Sequence, residues 1–277
     1  MDGLERFRDK IVYDFSTKHG GVSTGIYASM NLSFSMGDDP EKVTENYRLW
    51  CEGLGVDYKR TVLLSQMHTT NVVRVDETNC GEGLFRKRQQ YTDGMVTNCK
   101  GIALITYHAD CVPLYFYDPV HEAIGMAHAG WRGTVGGMAQ VMASKMKDEF
   151  GSAPEELYTR IGPCISQKYF ECDSDVVDEV AAMPVWDMLD LPASSLHEVP
   201  GYDRRLPEEI CTFDEAAGKY HVSLSRLNKL VMEAAGVPAE QIDMADACTY
   251  EHDELYFSHR RQGRARGGQA AMLMLKE

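Results

Sequence analysis

The chain has 277 residues, 44% of them hydrophobic, which is enough to bury a full core; 42 acidic against 28 basic side chains leave a formal charge of −14. A surface of that sign repels phosphate backbones and anionic lipid headgroups, so duplex nucleic acid and membranes are poor partners. No stretch reaches the ~20 apolar residues of a membrane helix, and the start MDGLERFRDK is charged where a secretory leader is apolar; a cytoplasmic location is expected.

Strand-like runs, rich in β-branched and aromatic residues and bounded by Gly, Asp or Pro, crowd the first half of the chain: 11–16, 61–66, 71–75, 94–97, 102–107, 112–117 and 122–127. Several are apolar on both faces, which predicts sheets covered on both sides and hence a layered α/β core. Helices are predicted over Glu41 to Leu54, after the turn Gly37-Asp38-Asp39-Pro40, and from Thr134 to Gly151, where Val135, Met138, Val141, Met142 and Met146 recur at helical spacing. The Met stripe reads as core packing. Ser223 is placed to cap a further helix carrying Leu224, Leu227, Leu230 and Val231 before Gly236. Between Pro184 and Phe213 the periodicity is weak, as in a long excursion, and Gln269 to Leu275 reads as a closing strand. No repeat or low-complexity tract divides the chain, so one domain over 1–277 is expected, with a monomer as the simplest assembly.

Eight cysteines, at 51, 80, 99, 111, 164, 172, 211 and 248, form no C-x-x-C pair and are expected to be mostly reduced and buried. Three segments put a metal-capable side chain where a strand gives way to a turn: Gln66-Met67-His68, Ala109-Asp110-Cys111 and His128-Ala129-Gly130-Trp131-Arg132-Gly133. Strand ends are where α/β proteins build sites. Two imidazoles and a thiolate suit zinc and leave a fourth tetrahedral position open, as in catalytic rather than structural sites. A lone histidine or cysteine is more often a core residue than a ligand, and Cys111 with His128 also fits the nucleophile and base of a cysteine hydrolase. Two His and one Cys describe a copper centre as well, although nine histidines with no His-x-His pair cannot build a multicopper cluster.

Anion binding is expected nearby. The glycine-rich turn after His128 runs towards a helix start, and Arg132 adds a bidentate donor; Trp131 reads as core or lid packing as readily as a stacking platform. Ser258 to Arg266 is the one strongly basic stretch in an acidic chain, a solvated face or a phosphate site. Asp93 and Asp110 are candidates for partners of the ligands or proton carriers, or else turn caps. His108, three residues before Cys111 on an assumed continuous strand, is expected to face away from it.

Together these segments resemble the YfiH-type family, first called polyphenol oxidoreductases or laccases and later recognised as purine nucleoside phosphorylases. The likeness rests on Phe15 to Ser23, Asn31-Leu32-Ser33, Gly37 to Pro40, Gln66-Met67-His68, Thr92-Asp93-Gly94, Ala109 to Pro113, His128 to Gly133, Ile161 to Ile165 and Ser258 to Arg261. It implies a mixed α/β fold of four layers, an α/β/β/α sandwich with mixed sheets, and zinc on His68, Cys111 and His128. Phosphorolysis of adenosine, inosine and 5′-methylthioadenosine is implied, with adenosine deamination beside it and copper-loaded phenol oxidation as a side activity. Arg132, Arg260, Arg261 and Arg264 are the expected substrate and phosphate ligands. The chain departs from the family with His259 in place of Tyr, His108 in place of Thr, and Gly-Arg-Ala-Arg in place of Thr-Gly-Arg, so either Arg264 or Arg266 fills the last arginine position.

Overall fold

The computed structural model describes residues 3–88 and 91–277. The strand-like runs of the first half form β1 (Ile11–Phe15), β2 (Thr61–Leu63), β3 (Val72–Arg74), β4 (Gly94–Thr97), β5 (Ala103–His108), β6 (Val112–Asp118) and β7 (Ala123–Ala129). Seven further strands lack a clear pattern in the sequence: β8 (Tyr158–Ile161), β9 (Glu171–Cys172), β10 (Leu196–His197), β11 (Leu206–Pro207), β12 (Cys211–Asp214), β13 (Lys219–Val222) and β14 (Ile242–Met244). The closing strand is β15 (Gln269–Leu275).

Two mixed sheets carry the fold, one ordered β1-β15-β5-β2 and the other β14-β8-β6-β7-β4-β3. Their alternation places the layers. Along β15, Ala271, Leu273 and Leu275 join Tyr115, Tyr117, Ile124 and Met126 between the sheets, while Ala270, Met272 and Met274 pack outward against Val43, Tyr47 and Trp50 of a helix. That helix, α1 (Pro40–Gly53), starts where Asp39 accepts a hydrogen bond from the Glu41 amide. On the other side, Leu114, Phe116 and Ala127 of the six-stranded sheet meet Met142, Met146, Leu227 and Val231. The result is the expected α/β/β/α order. Each large apolar side chain so enclosed contributes about 1.5–3 kcal/mol.

The remaining helices are α2 (Trp131–Val135), α3 (Met138–Phe150), α4 (Ser174–Ala181), α5 (Val185–Met188), α6 (Leu224–Ala234) and α7 (His259–Gln262). The helix expected over 134–151 is thus two. Gly136 and Gly137, the latter with φ of 76°, end α2 and turn the chain into α3, which carries the buried Met stripe. The expected excursion after Pro184 contains α5, the β10–β11 hairpin and the start of β12. Among the described residues no helix is long and apolar enough to cross a membrane.

Candidate metal centre and its cavity

β5 and β6 are adjacent in sequence but belong to different sheets, so the three residues between them form a corner at the seam of the sandwich. Cys111 lies on this corner. The ladder pairs Pro113 with His128 and Val112 with Ala129; one step further brings Cys111 opposite Gly130. With a side-chain period of two, His128 and Cys111 become diagonal neighbours on the face turned to the other sheet. β4 pairs Gly94 with Ala127, which sets Asp93 beside His128, where the His128 amide donates to the Asp93 carbonyl at 2.7 Å. His68 reaches the same place from the connection between β2 and β3. One donor atom each of His68, Cys111 and His128 lies within 4.8 Å of the others.

Asp93 is fully buried and organises this group. Its Oδ1 accepts from the His68 amide at 3.0 Å and from His128 Nδ1 at 2.9 Å; its Oδ2 accepts from the Met67 and Thr69 amides and from Thr69 Oγ1 at 3.1, 2.8 and 2.9 Å. The His68 backbone is thereby held at φ of 59°, a left-handed conformation that costs a non-glycine residue about 1 kcal/mol. Because Nδ1 of His128 is committed to Asp93, Nε2 is left as its ligand atom. Gly130 supplies the space: a Cβ there would sit 2.5 Å from His68 Nδ1 and 3.1 Å from Cys111 Sγ.

The electrostatics favour a cation. Burial opposes charge on His128, but the Cys111 thiolate and the Asp93 carboxylate outweigh it and raise the imidazole to about 9. The same negative field attracts a metal cation, which must displace that proton to bind. Burial also works against the Asp93 charge, yet the hydrogen bonds from His128, Thr69 and Met67 bring the carboxyl down to about 2. Burial, reinforced by His128, pushes His68 below its ordinary value, which keeps that ring neutral as a ligand must be.

The three donors line a cavity of about 450 Å³, in the range of small-molecule sites. Arg132, Arg260 and Arg266 also line it, with Trp131, Phe170 and Leu224 as apolar wall. The Arg132 guanidinium lies 4.1 Å from the centre of the Trp131 ring, and that of Arg260 is 5.6 Å from Phe170. Of the four arginines expected at the anion site, Arg261 and Arg264 are not on this wall: Arg261 donates to the Tyr250 carbonyl and pairs with Asp253, and Arg264 is exposed. Of the two arginines left open, Arg266 lines the cavity and Arg264 does not. Arg266 is 8% exposed, donates to the Ala109 and Gly267 carbonyls, and keeps its Nε without a partner.

Asp110 is a structural anchor here. Its carboxylate accepts from Thr249 Oγ1 at 2.6 Å and from the Arg260 amide at 2.9 Å, which fixes α7 and its basic residues against the corner. Asp93 is likewise engaged, and both carboxylates hold backbone in place beside the cavity. The helix start after His128 attracts an anion less than expected, because α2 spans only five residues and its dipole is correspondingly small.

His108 departs from expectation. It does not face away from the metal donors; it lines the same cavity, with its ring centre 5.5 Å from that of His128. Strand alternation does not pass through the corner, where Ala109 at φ of 151° redirects the chain from one sheet to the other. His108 is nonetheless engaged elsewhere, Nε2 with Thr106 Oγ1 at 2.7 Å and Nδ1 with the Cys111 carbonyl at 3.0 Å, and burial drives its pKa well down.

Known proteins resemble the chain over nearly its full length. The purine nucleoside phosphorylase YlmD of Bacillus subtilis is 32% identical over 270 residues, 97% of this chain and 90% of that protein. YlmD of Geobacillus stearothermophilus, of the same description, is 34% identical over 96% and 90%. In structure, the Bacillus licheniformis hypothetical protein YfiH superposes with a TM-score of 0.86 at 30% identity, covering 99% of this chain and 96% of that one. Crystalline YlmD from Geobacillus stearothermophilus gives 0.83 at 32% identity, over 96% and 92%. Residues 12–276 match the model of the multi-copper polyphenol oxidoreductase laccases, and the chain belongs to that family.

Proposed function

We propose that the chain is a zinc-dependent purine nucleoside phosphorylase, acting on adenosine, inosine and 5′-methylthioadenosine with phosphate, and deaminating adenosine as a side activity. The observation that carries this reading is the pairing, in one cavity, of a three-donor cluster with three arginines. The donor set fits zinc: two imidazoles, one held in the required tautomer by Asp93, and a thiol, with Gly130 keeping the space between them open. Relatives named purine nucleoside phosphorylase support the substrate class.

Bound zinc would supply Lewis acidity and, through its fourth position, activation of water. The chain's own groups do the rest. Arg132, Arg260 and Arg266 neutralise and orient phosphate, whose oxygen forms a bond to C1′ as the bond from C1′ to the base breaks and the base departs with the electron pair. The apolar wall of Trp131, Phe170 and Leu224 suits a purine and excludes water from the developing cation. In deamination, water oxygen replaces the amino group at C6 and ammonia leaves.

Copper is the second reading, favoured by the family's description and by a donor set that copper binds more tightly than zinc on intrinsic affinity. Incubation of metal-defined protein with adenosine, with and without phosphate, separates the readings. Adenine formed only with phosphate, together with some inosine, is the expected result. Phenol oxidation after copper loading without nucleoside turnover would replace it with the oxidase. Activity in metal-free protein, lost on alkylation of Cys111, would replace it with the cysteine hydrolase.

A further inference from the structure

The hairpin that presents His128 carries a second group of ligand-type side chains at its other end. β6 and β7 are antiparallel over seven residues, so the Asp118 end lies roughly 20 Å from the Cys111 end. There Asp118, the last residue of β6, His121 in the turn, and Glu156 in the turn before β8 each bring one donor atom within 4.8 Å of the others. His121 Nδ1 is 2.7 Å from Asp118 Oδ2 and 3.8 Å from Glu156 Oε2. With bonds of about 2.1 Å to a common ion, these two separations correspond to ligand angles of roughly 80° and 130°, which a four- to six-coordinate cation can accept.

Each carboxylate is held in place by backbone. Asp118 Oδ1 accepts from the Val120 and His121 amides at 2.8 and 3.1 Å, which turns Oδ2 to the ring; Glu156 accepts from the Ala153 amide at 3.0 Å. Asp118 is fully buried, and among the described residues no lysine or arginine pairs with it or with Glu156. Asp118 faces two backbone amides, one imidazole and a second carboxylate, and a cation shared by the three side chains would offset the burial of its charge.

We propose that Asp118, His121 and Glu156 form a second divalent-cation site, with nitrogen and oxygen donors suited to zinc, that clasps the β6–β7 turn to the turn preceding β8. Capture of the ion needs the ring proton on Nε2 alone, so that the Nδ1 lone pair and the carboxylates bind the ion and water completes the shell. With no thiolate and a site far from the cavity, the ion is structural.

Zinc titration of metal-free protein, followed by calorimetry and by metal analysis after desalting, tests this. His121→Ala, a turn residue whose variant is checked for native far-ultraviolet circular dichroism, binds one zinc fewer per chain than the wild type. Glu156→Gln weakens the same step at least about 10-fold. Zinc raises the Tm of Cys111→Ala but not of Cys111→Ala/His121→Ala. Equal zinc content in His121→Ala and wild type would overturn the proposal and leave a hydrogen-bonded turn. The readout is a difference of one ion, so it stands whether or not the cavity donors bind zinc.

Discussion

Replacement of Asp93 by Asn tests whether this carboxylate builds the metal centre. It accepts five hydrogen bonds, two on Oδ1 and three on Oδ2. An amide has one acceptor oxygen. If its NH2 takes the Oδ2 position, it confronts the Met67 and Thr69 amides, two donors left unsatisfied. If it takes the Oδ1 position, it orphans the His68 amide and donates to His128 Nδ1, which forces the ring proton onto Nε2 and removes the ligand lone pair. At about 1–3 kcal/mol per unsatisfied buried group, a destabilisation of about 2–4 kcal/mol is expected, and zinc affinity at the cavity falls about 10–100-fold. The pH dependence has a definite sign. Because folding lowers the Asp93 carboxyl from 3.8 to about 2, its own contribution is fully present above 3.8 and is lost as pH falls towards 2, so that share of the gap between wild type and variant closes in acid; the share Asp93 gives through the raised His128 ring is present below 6.5 and is lost as pH rises towards 9. Urea denaturation of metal-free protein against pH, with zinc competition against a chromophoric chelator, measures both effects. A variant with unchanged stability and a zinc affinity within twofold of wild type would refute the role given to Asp93.

Cys111→Ala loses the cavity ion and nearly all nucleoside turnover; full zinc occupancy there by metal analysis would show the ligand set is different. Arg132→Ala raises the phosphate concentration for half-maximal rate about 10–100-fold, the worth of a charge-assisted hydrogen bond, with a Tm close to wild type. An unchanged phosphate dependence removes Arg132 from the anion site. Arg266→Ala shows the same kinetic defect while Arg264→Ala is silent, since only the former lines the cavity, and the reverse pattern in steady-state kinetics would contradict the placement. His108→Ala keeps its cavity zinc but loses about 1–3 kcal/mol of stability, because Thr106 and the Cys111 carbonyl are left without their partner. Zinc lost by that variant would make His108 a ligand.

Much of the sandwich was legible because its central strands are apolar on both faces and end in turn residues; β5, β6 and β7 fall within a residue or two of the expected runs. β8 and β14 escaped because a charged residue, Arg160 or Asp243, interrupts an apolar run of three or four residues, and they are recognisable only through their pairing. The break between α2 and α3 was written in Gly136-Gly137 but hidden by a Met and Val pattern that continues across it. At the site, residue types pointed to three side chains that the fold brings together, since imidazole and thiol chemistry is local. The position of His108 and the choice of Arg266 over Arg264 were not legible, because both depend on how the chain turns at a corner between two sheets. The role of Asp93 as common acceptor for a loop and a strand likewise needs the β4–β7 register.

That corner has a mechanical consequence. His68 arrives on a connection that leaves one sheet and enters the other, Cys111 stands where the chain crosses between them, and His128 belongs wholly to the second. An ion gripped by all three rivets the two slabs at their open rim, so occupancy restrains any sliding of one past the other. Metal loading is then expected to slow amide hydrogen exchange in β5 and β15, strands that contribute no ligand at all.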